Sequence, residues 1–73
     1  MESRPIHQFD AVALLHDVPE EMLSAGQVGA VVEVHFPDDF EVEFVDLKGR
    51  TLALRTCRRD ELLLLKHEAL AAA

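Results

Sequence analysis

Residues 26–57 read GQVGAVVEVHFPDDFEVEFVDLKGRTLALRTC, and this stretch decides the fold. Gly26-Gln27-Val28-Gly29 is a turn with two residues free to adopt unusual dihedrals. After it, Ala30, Val32, Val34 and Phe36 fall on one side of an extended chain, with Val31, Glu33 and His35 on the other. A period of two marks a half-buried strand. Pro37-Asp38-Asp39 carries turn chemistry. Phe40, Val42 and Phe44 then alternate with Glu41, Glu43 and Val45 in a second strand. Asp46-Leu47-Lys48-Gly49 turns the chain again, and Leu52 and Leu54 alternate with Thr51, Ala53 and Arg55 in a third.

Parity sets an expected register. Paired residues share a face, so Phe44 should oppose an inward residue of the next strand. A three-residue loop, Leu47-Lys48-Gly49, pairs Phe44 with Leu52 and Val42 with Leu54, and Gly49 supplies the left-handed residue such a loop needs. The same logic over Pro37-Asp38-Asp39 pairs Phe36 with Phe40, Val34 with Val42 and Val32 with Phe44. Both hairpins then agree on one inward face. Three turn glycines follow: Gly26, Gly29 and Gly49.

Outward from this meander the signals are weaker. Residues 9–16 fit a helix or a strand by pattern. Pro19 disfavours helix at Val18, so 9–16 is read as a first strand and 17–27 as a long loop. Residues 57–61 read as a short turn of 3-10 type, and Leu62 to Leu65 as a short last strand. Residues 66–73 favour helix by composition but are too few to be stable without packing, so a frayed tail or a helical turn docked through Leu70 is expected. A strand, a long loop, a three-strand meander, a 3-10 turn and a short strand make a mostly β chain with the layout of a five-stranded SH3-like barrel. KOW modules share this layout. The rival is a three-stranded sheet with a helix at 9–16 or 57–65 packed on it.

Seventy-three residues make one domain, divided here into a loose lead-in (1–7), the β domain (8–66) and a tail (67–73). Chains this short bury only about 60% of their unfolded surface, so they need a compact core or self-association. Cys57 is the only cysteine, and the four histidines are scattered with no CxxC; no disulfide within the chain or zinc site is expected. The first residues lack the basic start and apolar run of a signal peptide, and the longest apolar run, Leu62 to Leu65, is far too short to span a bilayer. A cytoplasmic protein is the expectation.

The net charge is −7. Residues 1–47 hold eleven acids and one base, residues 48–73 six bases and three acids. The whole chain repels polyanions, which argues against nucleic acid or an anionic membrane as partner.

The blocks Asp10-Ala-Val-Ala-Leu-Leu-His-Asp-Val-Pro-Glu20, Leu23-Ser-Ala-Gly-Gln-Val-Gly-Ala-Val-Val-Glu33 and Phe40-Glu-Val-Glu-Phe-Val-Asp46, with Gly49-Arg-Thr51, resemble the small bacterial family called domain of unknown function 4926. The resemblance covers roughly residues 8–66, with the Pro-Glu, Gly-x-x-Gly and Glu-Val-Glu-Phe blocks in order. His67-Glu-Ala-Leu also resembles ends seen in that family. Ala30 stands where threonine is expected. The resemblance supports the β fold and carries over no activity and no catalytic residues.

Candidate chemistry is sparse. The expected register sets Glu33 opposite Glu43 on the outward face, where like charges destabilise; they form a carboxylate pair for a metal or a basic partner or, more plainly, two solvated glutamates. His35, Glu41 and Arg55 form the next row, best read as a surface ion ladder. Cys57 beside Arg58 and Arg59 raises the question of an activated thiol, though a small residue at a strand end is the plainer reading. Gly26 and Gly29 lack the lysine and Ser/Thr of a phosphate loop. Arg55, Arg58 and Arg59 form one basic cluster without interleaved exposed aromatics. Val31 and Val45, paired on the outward face, mark a candidate contact surface with Glu33, Glu43 and Arg55.

The expectation is a non-catalytic protein-interaction module, self-associating or masking a basic partner in an antitoxin- or immunity-like way. The alternative is a KOW-like nucleic-acid or ribosome-associated module. No cofactor, metal or catalytic residue is expected, and no small-molecule substrate is inferred.

Overall fold

The structure, a computed structural model, describes residues 5–65. Five strands, β1 (Ala11–Leu14), β2 (Val28–His35), β3 (Asp39–Val45), β4 (Thr51–Arg58) and β5 (Leu62–Leu64), form one antiparallel sheet in the order β4-β3-β2-β1-β5. Two 3-10 turns interrupt them, Pro19–Glu21 in the long loop after β1 and Arg59–Glu61 between β4 and β5. The described residues include no α-helix, so the rival with a helix at 9–16 or 57–65 falls: those segments are strand, turn and strand. The element order is that expected of an SH3-like layout, but the sheet is open, with β4 and β5 as its two edges. The helical tail and its docking through Leu70 lie outside the described residues.

The inner face of the sheet carries the core. Phe40, Val42 and Phe44 of β3 point into it, together with Val12 and Leu14 of β1, Val31 of β2, Cys57 of β4 and Leu62 of β5. Ile6 from the lead-in and Val18 and Leu23 from the long loop close it. Val18 and Leu23 bridge each other through their backbones, which folds the first 3-10 turn back over the core.

β3 matches its expected inward face, and its two neighbours match theirs on only one side of a bulge. The β2–β3 turn uses residues 36–38, pairing His35 with Asp39 and Val34 with Phe40. A bulge at Val32 then shifts the register, so that Val31 opposes Val42 and Gly29 opposes Phe44. One inserted residue reverses every side chain beyond it. Ala30 therefore faces outward and Val31 is fully buried. A second bulge at Leu52 does the same to β4: Val45 opposes Thr51, but Phe44 opposes Ala53, Val42 opposes Arg55 and Phe40 opposes Cys57. Leu52 and Leu54, expected inside, are exposed.

Gly26 and Gly49 have positive φ of 92° and 82°, as turn residues of this kind require. Gly29 is not a turn residue. It lies inside β2, where a Cβ would sit 2.7 Å from the Glu43 carbonyl oxygen and 2.9 Å from the Phe44 ring. Its role is to let β3 approach closely.

Candidate functional site

The five residues proposed as one contact surface do not form one. Val31 is in the core. Val45 is half-buried opposite Thr51, and its carbonyl accepts a hydrogen bond from Gln27 Nε2 at 3.2 Å. Glu33 opposes Glu41 rather than Glu43, because the β2–β3 turn takes residues 36–38 instead of 37–39 and so moves the pairing two places along. Glu43 stands between Ala30 and Leu54 and accepts the Thr51 hydroxyl. Glu41 accepts the Thr56 hydroxyl at 2.9 Å and faces His35 Nε2 at 3.8 Å. The expected His35-Glu41-Arg55 ladder thus loses Arg55, which the Leu52 bulge turns to the inner face.

Arg55 is instead the centre of a charged cluster that ties both 3-10 turns together. Its Nη1 donates to Glu61 Oε1 at 3.3 Å, and its Nε lies 3.4 Å from Glu21 Oε2. Glu61 Oε1 also meets His16 Nε2 at 2.8 Å, while Glu61 Oε2 accepts the Arg58 backbone N–H at 2.8 Å. Burial alone would raise the Glu61 pKa, but the Arg58 amide, His16 and Arg55 outweigh it and hold the carboxyl below its usual range. Burial opposes the Arg55 charge, and the neighbouring Glu61 and Glu21 carboxylates favour it.

Cys57 lies beneath Arg55, its Sγ 3.7 Å from Nη1, and is fully buried. Burial pushes the thiol pKa up, and the guanidinium only partly offsets this. The sulfur is kept as a packed thiol, the reverse of an activated one. The basic cluster loses Arg55, which turns inward; Arg58 Nε pairs with Asp60 Oδ1 at 3.3 Å, and Arg59 Nη1 donates to the Leu62 carbonyl at 3.2 Å. Among the described residues no group of three or more His, Cys, Asp or Glu is placed to hold a metal ion. No helix among them is long and apolar enough to cross a membrane.

The feature missed in the sequence lies where residues 5–10 run along β2. Phe36 is 94% exposed and Phe9 75% exposed. Phe9 has a φ of +74°, a region bulky side chains rarely enter. A tight turn holds it there. The Asp10 carboxylate accepts the His7 N–H at 2.8 Å, the Asp10 N–H returns to the His7 carbonyl, and the Phe9 N–H donates to the Val31 carbonyl. Gln8 Nε2 donates to the carbonyl of Val32, the bulged residue, at 3.0 Å. The bulge and the strained turn therefore support each other. Beside them, Pro5, Ile6, Val34, Phe36, Pro37 and Phe40 line a shallow, mostly apolar concavity of about 370 Å³, with Asp38 and Arg59 at its rim.

Fold and site together define a small all-β domain that displays aromatic side chains from its turns. Residues 8–64 match the family described as Domain of unknown function (DUF4926), and the chain belongs to that family. No curated protein and no solved structure matches it.

Proposed function

We propose that this chain is a non-catalytic protein-binding module that takes its partner on the surface built by residues 5–10 and 34–38. The observation that supports it is the display of Phe9 and Phe36. An aromatic held in a left-handed conformation by its own hydrogen-bonded turn costs the fold energy, and such strain clusters at functional positions. An exposed aromatic that lines an apolar concavity, as Phe36 does, is a usual anchor of an interface. The net charge of −7 favours a basic partner and speeds its approach. A partner masked in an antitoxin- or immunity-like way fits this chemistry, and so does a second copy docking by the same phenylalanines. The nucleic-acid alternative is weakened because Arg55 turns away from Arg58 and Arg59, and Arg58 pairs with Asp60.

The test is capture of the tagged protein from its own host cells at moderate salt, with and without nuclease, beside Phe36→Ser and Phe9→Gly. The wild type should retain a protein in fixed stoichiometry that survives nuclease, or sediment as a defined oligomer. Loss of one anchor should weaken the complex about 30-fold or more, the scale of a hot-spot residue. Recovery of a bare monomer, or equal retention by both variants, would sink the proposal. Nuclease-sensitive material would promote the nucleic-acid alternative.

A further inference from the structure

His16 stands where β1 gives way to the 15–27 loop. Its Nδ1 lies 2.9 Å from the Asp17 carbonyl oxygen, and its Nε2 lies 2.8 Å from Glu61 Oε1. Both partners are acceptors only. A neutral imidazole has one N–H and can serve one of them, whereas the imidazolium serves both. The geometry therefore fits the doubly protonated ring. The groups facing it come from every neighbouring element. Glu61 belongs to the second 3-10 turn, and Arg55 of β4 shares Glu61 Oε1. Glu21 of the first 3-10 turn lies against Arg55 on its other side, with the Cys57 thiol beneath. The Asp17 carboxylate is occupied by the Ala25 N–H at 2.8 Å.

We propose that His16 is a pH-operated clasp, fastening the 15–27 loop to the second 3-10 turn when its ring carries two protons and losing one of its two bonds when it carries one. The backbone is placed to feel this, because the Leu15 N–H donates to the Glu61 carbonyl beside the clasp. The ring is half exposed, so protons reach it freely. The bond to Glu61 is the main cause raising the His16 pKa above its ordinary 6.5, followed by the Asp17 carbonyl, while loss of solvent around the ring and, less, Arg55 oppose them. A raised folded-state pKa fixes the sign: the clasp is fully closed below about pH 6.5 and loosens as pH rises through the folded-state value. The loop it controls carries Met22, 86% exposed, so the clasp sets how firmly that side chain is presented.

The test is nitrogen NMR of the His16 ring together with amide exchange of Leu15 and Ala25 in the full chain, from about pH 5 to about pH 9. Both ring nitrogens should carry protons at the low end, with a midpoint above 6.5. Protection of the two amides should fall as pH rises through that midpoint, by up to tenfold for each unit by which it exceeds the ordinary value. His16→Gln, which leaves the other histidines in place, should show a flat profile. A midpoint at or below the ordinary value overturns the clasp. So does amide protection that ignores the ring's titration, or a His16→Gln profile that follows the wild type. The wild-type titration decides the matter even if the variant does not fold.

Discussion

The four phenylalanines divide the molecule into two regions. Phe40 and Phe44 sit on the inner face of β3, 4% and 0% exposed, on a strand with a partner on each side. Phe9 and Phe36 stand outside the strands, 75% and 94% exposed. The side chain is the same and its surroundings are opposite. The interior pair is held by contacts the chain makes with itself. The outer pair leaves its apolar surface in water, and in Phe9 the backbone is strained as well. The interior pair belongs to the burial that holds the fold together, and the outer pair takes almost no part in it.

The contrast can be broken most directly at Phe44. Phe44→Ala should cost about 3–5 kcal/mol, the lost burial plus the cavity left behind, measured by urea unfolding; for a domain this small that is most of its stability. A loss below about 1 kcal/mol would show that β3 is not the centre of the core. Gly29→Ala tests the same region from the backbone side. Its new methyl would meet the Glu43 carbonyl oxygen at 2.7 Å, and backbone cannot swing aside as a side chain can. A loss of about 1–3 kcal/mol is expected, and no loss would mean that β2 and β3 are less closely apposed than described. The smallest effect belongs to the outer pair. In Phe9→Gly, relief of left-handed strain offsets the greater freedom of glycine in the unfolded chain, so stability should stay within about 1 kcal/mol of wild type. Phe36→Ser should change it by less than about 0.5 kcal/mol, as exposed sites usually do. Losses of several kcal/mol at either would place that ring in the fold's own core and remove the distinction.

How far the chain could be read in advance follows the same division. β3 was legible because it runs unbroken between two partners and alternates strictly. β2 and β4 alternate just as cleanly, yet each carries a bulge, at Val32 and at Leu52, and a bulge leaves no mark in an alternating pattern. The two hairpins agreed on a common inward face, and that agreement was itself misleading, since both errors shifted parity in the same sense. One sign was present: an isolated glycine inside a strand, here Gly29, often marks a close backbone approach, but its place near Gly26 made it look like part of the turn. The cluster at Arg55 was out of reach. His16 and Glu61 are 45 positions apart, and only the fold brings them to 2.8 Å.

The sequence by itself determined the class of the fold, the number and order of its strands, the place of its 3-10 turn before β5, the inner face of β3 and the family. These rest on local periodicity, on turn residues and on motif order, all of which act over a few neighbouring positions. Tertiary structure alone decided which face of β2 and β4 turns inward, why Gly29 is glycine, where Arg55 points and which phenylalanines remain outside. Those outcomes depend on pairing between strands, where one inserted residue reverses a whole face at little local cost and the better-packed interior selects the register.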